Sequence, residues 1–237
     1  MFWRKINLNA AEKLIRQYEK RKFSLSIDKK KKTLTYCDSN DEKKIKIRLA
    51  INLDFEEESK KILQRDFQNH LVLIIKSGIA SIAFFENQEL IDHKVFRAYM
   101  VRKKQGKSQI KYLKTKGKSR AGSRVRLQET IDFFENINQR LLEYFEEFRI
   151  DTIALSCSQT LLPYFFQSKT ITPFDKKDDR IYKIPKHIDS GTHENLMEVN
   201  SQLFECYLYV FKEENPDLNF TDQNDEIKPD EEKEDNW

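Results

Sequence analysis

After one helical stretch, the first fifty residues alternate between apolar and polar positions. Asn9 followed by Glu12 has the spacing of a capping box, and Leu14, Ile15 and Tyr18 carry a helix to about Arg21. Phe23, Leu25 and Ile27, then Leu34 and Tyr36, then Ile45, Ile47, Leu49 and Ile51 repeat with the period of half-buried strands. The Lys-rich stretch 28–32 turns the first of these strands into the second. Asp54 to Gln68 is dense in charge and is expected to be a helical connector. Residues 1–65 thus read as a small N-terminal α+β, β-rich appendage.

From Leu71 the pattern changes. Leu71 to Lys76 is a continuous apolar run ending in one lysine, as in a central strand. Ser77-Gly78 marks a turn, Ile79 to Phe85 a second strand, Asn87-Gln88 another turn, and Leu90 to about Met100 a third strand. A polar loop follows over about 101–124. Leu127, Ile131, Phe134, Leu141, Phe145 and Phe148 then recur at three- and four-residue steps within a long helix over Val125 to Ile150. Ile150 to Leu155 predicts a strand, with Ser156 or Ser158 capping a short helix through Leu161 and Phe165. Arg180 to Ile184 predicts another strand. Thr192 can cap a last helix with Leu196, Val199, Leu203, Cys206 and Val210 on one face. A meander followed by alternating helices and strands predicts an α/β domain, a mixed sheet with flanking helices, over residues 66–212.

Charge divides the chain again. Residues 213–237 hold eleven acids against Lys228 and Lys233, a net −9, which leaves +13 on residues 1–212. The tail is too poor in apolar surface to fold and is expected to be disordered. A body so basic suits a phosphate-rich polymer. Seventeen Phe and nine Tyr supply a core even though 35% of residues are charged. Cys37, Cys157 and Cys206 are far apart and odd in number, which excludes a disulfide framework or a clustered thiolate zinc site and suits a reduced, cytoplasmic setting. The longest apolar run is too short to span a bilayer, and no signal-peptide pattern opens the chain, so no membrane partner is expected.

The segment 101–126 holds Arg102, Lys103, Lys104, Lys107, Lys111, Lys114, Lys116, Lys118, Arg120, Arg124 and Arg126 without one acid. Gly106, Gly117 and Gly122 lie in it too. Self-repulsion on this scale calls for a polyanion, and each phosphate contact releases counterions. Extended out and back, such a loop reaches roughly 36 Å. Charge alone leaves two readings open, an RNA-binding loop and a solvated loop without chemistry.

Gly106-Lys107-Ser108-Gln109 in this loop, after a three-strand meander and before Ser119-Arg-Ala-Gly and a long helix, resembles the Vms-like release-factor (VLRF) family. Ile153-Ala-Leu-Ser and Leu161-Leu-Pro-Tyr-Phe are similar as well, so the resemblance covers about residues 66–211. It implies a ribonuclease-H-like fold, similar to the catalytic domain of eukaryotic and archaeal class I release factors. It also implies release of nascent chains from tRNA on stalled or split large ribosomal subunits. Eukaryotic members carry a zinc finger and ankyrin repeats; neither pattern occurs here, so the chain is similar to a bacterial-type relative.

Residue chemistry limits the roles within that resemblance. Gly106 lets the backbone turn tightly against RNA. Gln109 does not titrate near neutral pH, so it cannot be a general base, but it can accept from a water and donate to an oxygen. Positioning the attacking water is its expected use, with backbone N–H groups stabilising the oxyanion. Ser108 orients the loop. The expected partners are the large subunit and peptidyl-tRNA, bound by a monomer, with no DNA, no metal and no cofactor. Two alternatives stay open: a non-catalytic ribosome- or tRNA-binding factor, and a metal-independent nuclease trimming the tRNA 3′ end. Asp92 as a lone metal carboxylate, Cys157 as a nucleophile and the four histidines as ligands are weaker candidates.

Overall fold

The structure is a computed structural model that describes residues 3–98 and 121–211, and of 121–127 the backbone alone. Its chain divides into two compact units. One comprises residues 1–68, 182–187 and 199–237, the other 69–181 and 188–198.

The first unit is built on a five-stranded antiparallel sheet in the order β1-β12-β4-β3-β2. Its strands are β1 (Trp3–Ile6), β2 (Ser24–Asp28), β3 (Thr33–Cys37), β4 (Lys43–Arg48) and β12 (Cys206–Val210). Helix α1 (Leu8–Lys20) covers one face, where Leu14, Ile15 and Tyr18 pack with Leu34, Tyr36, Ile45, Ile47 and Leu208. The cap of α1 is Asn7, whose side chain accepts from Ala10 N at 2.8 Å, rather than Asn9. The expected pair of strands joined by the 28–32 turn is present as β2 and β3.

Two further expectations fail in this unit. Asp54 to Gln68 is not a helix: β5 (Leu53–Glu56) and β6 (Lys61–Gln64) form a hairpin. Asp54 draws it onto the β2–β3 turn, because the mostly buried Lys32 ammonium donates to Asp54 Oδ1 and to Leu53 O, both at 2.7 Å. Arg65 Nε donates to Asp54 Oδ2 at 2.6 Å. The second failure concerns Cys206 and Val210, expected on a helix. They belong to β12, which sits between β1 and β4 of the N-terminal sheet. The last segment of the expected 66–212 domain therefore pairs with residues of the expected appendage.

The second unit holds a mixed sheet in the order β11-β10-β7-β8-β9. Strands β7 (Asn69–Lys76), β8 (Ile79–Glu86) and β9 (Glu89–Arg97) form the expected antiparallel meander, and β10 (Thr152–Cys157) runs parallel to β7. Asn87 and Gln88 both take positive φ (46° and 74°), the backbone of a two-residue hairpin turn. The short β11 (Ile181–Lys183), of which only Ile181 falls in this unit, follows β10 in the strand order. Between β9 and β10 runs α2 (Ala121–Glu147), a full turn longer at its start than the sequence pattern predicts. Phe133, Phe134, Ile137, Leu141 and Tyr144 of α2 pack on Leu71, Leu73, Ile82 and Phe84. Ile131, expected in that stripe, is 38% exposed.

The short α3 (Leu162–Phe166) has Pro163 in its first turn and no side-chain cap; Ser158 serves it through its carbonyl, which accepts from Leu161 N and Leu162 N. Thr192 Oγ1 does accept from Asn195 N (3.3 Å) at the start of α4 (His193–Leu203). Gly191 lies flat on the sheet, where a Cβ would come within 3.2 Å of Ile79 O.

Candidate nucleic-acid interface

Gly106, Ser108 and Gln109 lie outside the described residues, as do Arg102, Lys103, Lys104, Lys107, Lys111, Lys114, Lys116, Lys118 and Arg120. Arg124 and Arg126 fall on the first turns of α2, with side chains outside the description. What the structure defines is the base from which this segment departs and to which it returns.

The departure point is the end of β9, the outermost strand of its sheet. Ala98 N donates to Gly78 O at 3.0 Å and extends the pairing one residue beyond the strand. The return point is the N-terminus of α2. Three side chains strap β9 to the C-terminal half of α2, roughly 30 Å along the helix from Ala121. Asp92 of β9 accepts from Tyr144 Oη of α2 at 2.7 Å and is ion-paired with Arg140 of α2. Arg140 also donates to Glu143 Oε2 at 2.7 Å and lies 4.7 Å from the Tyr144 ring centroid. Burial opposes ionisation of Asp92, but the Tyr144 hydroxyl and the Arg140 charge outweigh it and hold the carboxyl below the usual carboxylate range. Burial, and then the bond to Asp92, push the Tyr144 phenol upward, so it stays a neutral donor.

A second buried lock holds the far side of α2. Asn138, fully buried, donates to Phe165 O at 3.0 Å and to Thr170 O at 2.9 Å, and accepts from Thr172 Oγ1 at 3.3 Å. Asn138, Arg140 and Tyr144 carry no motif, and sequence reasoning assigns none of them this role. Between the supports lies an open cleft of about 520 Å³ lined by Phe96, Arg97, Glu129, Asp132, Phe133 and Asn136.

The other sequence candidates fall into structural places. Asp92 is committed to the strap. Cys157 ends β10, and burial pushes its thiol up to about 12, far from a thiolate at neutral pH. His70 is buried and stacked on Phe85 with ring centroids 5.1 Å apart, and His93 packs against His193 at 4.4 Å. Phe133, Phe134 and Tyr144 are core residues. Among the described residues no three His, Cys, Asp or Glu side chains gather as a metal site, and no helix is long and apolar enough to cross a membrane.

Among solved structures, the chain is similar to one titled "Vms1 mitochondrial localization core", at 11% identity over 86% of this chain and 84% of that one, with a TM-score of 0.40. A likeness that distant carries no argument about function. No curated protein matches the chain. A family model described as Bacteroidetes VLRF1 release factor matches residues 70–211. That span opens on the second residue of β7 and takes in the meander, the Gly-x-x-Gln segment, α2 and β12. With more than half its length inside the match, the chain belongs to the Bacteroidetes VLRF1 release factor family.

Proposed function

We propose that the protein is a release-factor-like peptidyl-tRNA hydrolase that acts on ribosome-bound nascent chains through Gly106 to Gln109. The observation that carries this reading is the family match, which spans the basic segment and both of its supports. The joined supports lend further weight. Catalysis by a projecting loop needs a rigid platform, and Asp92, Arg140 and Tyr144 fix α2 on β9 at the end away from the loop. The meander, crossover helix and parallel β10 agree with a ribonuclease-H-like, release-factor catalytic-domain-like fold for the second unit.

In this reading the loop enters the large subunit as a monomer in the cytoplasm, with lysines and arginines on RNA phosphates. Gln109 orients a water against the ester carbonyl that joins the peptide to the terminal ribose. The water oxygen bonds to the carbonyl carbon, and the ester C–O bond breaks. The ribose oxygen leaves with a proton, and the peptide leaves as a carboxylate. Backbone N–H groups near Gln109 stabilise the oxyanion, and Ser108 orients the turn. The proton moves through ribose hydroxyls or ribosomal groups, because a carboxamide cannot take it.

The test incubates large subunits carrying peptidyl-tRNA with wild-type protein and with Gln109→Ala. Loss of one positioned donor costs on the order of 10²-fold or more in release rate. Binding without release by the wild-type protein would leave only the non-catalytic factor. A tRNA product lacking its 3′-terminal adenosine would assign nuclease action instead of ester hydrolysis.

A further inference from the structure

Strand β4 reads Lys-Lys-Ile-Lys-Ile-Arg and β12 reads Cys-Tyr-Leu-Tyr-Val. From Lys44 onward both alternate. Antiparallel pairing of Tyr207 with Arg48 and Tyr209 with Lys46 brings the two polar sides onto the same face of the sheet. Ile45, Ile47 and Leu208 occupy the opposite face, under α1. One face of the first unit thus carries a basic column (Lys44, Lys46, Arg48) beside an aromatic column (Tyr207, Tyr209), with Lys44 ion-paired to Asp38 at 2.7 Å and Glu42 at 3.3 Å.

The chain ends around β12 enlarge the aromatic column. Trp3 of β1 pairs with Tyr209, ring centroids 5.3 Å apart. Phe211 N donates to Lys44 O at 3.1 Å, which continues the β12 register, and its ring sits edge-on to Tyr209 at 4.7 Å. Cations interleave with these rings: Arg48 at 4.5 Å and Lys46 at 5.8 Å from the Trp3 centroid, and Lys43 at 6.0 Å from that of Phe211. Arg48, Tyr207 and Tyr209 are buried, whereas Trp3, Lys46 and Phe211 are partly exposed and Lys43 is exposed.

We infer that this face is a second RNA-binding surface, which takes a single-stranded segment with bases against Trp3 and Phe211 and phosphates against Lys43 and Lys46. An acidic peptide would be matched by the cations alone. Flat rings set between cations match a ligand that carries a π-face and a negative backbone together. Successive positions on one face are about 6.6 Å apart, two residues at ~3.3 Å each, so the columns track an extended polynucleotide. The surface belongs to the first unit, whereas the Gly-x-x-Gln loop belongs to the second. Its existence does not depend on turnover by Gln109.

Trp3 and Trp237 are the only tryptophans, so Trp237→Phe makes Trp3 a sole reporter in the full chain. That protein, with and without the loop reversals Lys103→Glu, Lys104→Glu and Lys107→Glu, is titrated with a short fluorescein-labelled single-stranded oligouridylate. Binding is read by anisotropy and Trp3 emission together. The surface predicts saturable Trp3 quenching that survives the loop reversals. In the loop-reversed protein, Trp3→Leu and the surface change Lys43→Glu should each weaken the remaining binding about tenfold, and Trp3→Phe should restore most of it. Anisotropy that rises without Trp3 quenching overturns the inference, as does unchanged affinity in Lys43→Glu. Trp3 emission that responds to deletion of 213–237 and not to RNA assigns the face to the acidic tail and overturns it too.

Discussion

Asn138 and Asp92 show how single polar side chains hold α2 in place. Asn138 satisfies two backbone carbonyls and one hydroxyl at a fully buried position. Asn138→Ala should cost about 2–3 kcal/mol, read by urea denaturation, because it orphans buried acceptors as well as losing bonds. Asp92 is partly exposed, and its contribution should be smaller and pH-dependent. Its folded-state carboxyl titrates below the unfolded value, so the native state binds fewer protons than the unfolded chain on the acid side. The stability difference between wild type and Asp92→Asn should therefore be level above about pH 5. It should shrink as pH falls through the folded-state value. A difference that grows on acidification would contradict the strap. Asp92 stood out in the sequence as an acid on an expected strand, but only the fold supplies Arg140 and Tyr144 from 48 and 52 residues away.

At the scale of elements, strict periodicity was legible and partner choice was not. The alternation in β2, β3 and β4, the apolar run of β7 and the turns at 77–78 and 87–88 follow from local spacing. The segment 54–68 misleads because its charges suit a helix surface equally well. They become a hairpin since Lys32 and Arg65 both find Asp54, and Lys29 finds Glu57 at 3.1 Å. Cys206 to Val210 misleads for a different reason: its apolar positions extend the spacing of α4, and a strand there is favoured only once β1 and β4 are present on either side. A stop after Phe204 should remove that interior strand and abolish hydrogen-exchange protection in β3 and β4. A stop after Lys212 should leave their protection intact. Equal loss in both, or in neither, would show that β12 does not organise the sheet.

For the whole molecule, charge distribution is the dominant fact. The basic excess of residues 1–212 and its concentration at 101–126 predict RNA affinity that falls steeply with salt. For a single strand the slope of log K against log salt changes by roughly 0.7 per phosphate contact removed. Replacing Lys107, Lys111 and Lys114 with Gln should thus flatten it by about 2; an unchanged slope would remove those residues from the interface. The sequence by itself determined the meander, the long helix, the charge of the loop and the resemblance carried by Gly106 to Gln109, because each depends on neighbours within a few residues. Only the tertiary structure decided that β12 joins the N-terminal sheet, that Asp92 straps α2 to β9, and that Trp3, Lys46, Tyr209 and Phe211 share one face. Those juxtapositions join residues up to about two hundred positions apart, and no local period encodes which distant strand or side chain will satisfy a given backbone edge or charge.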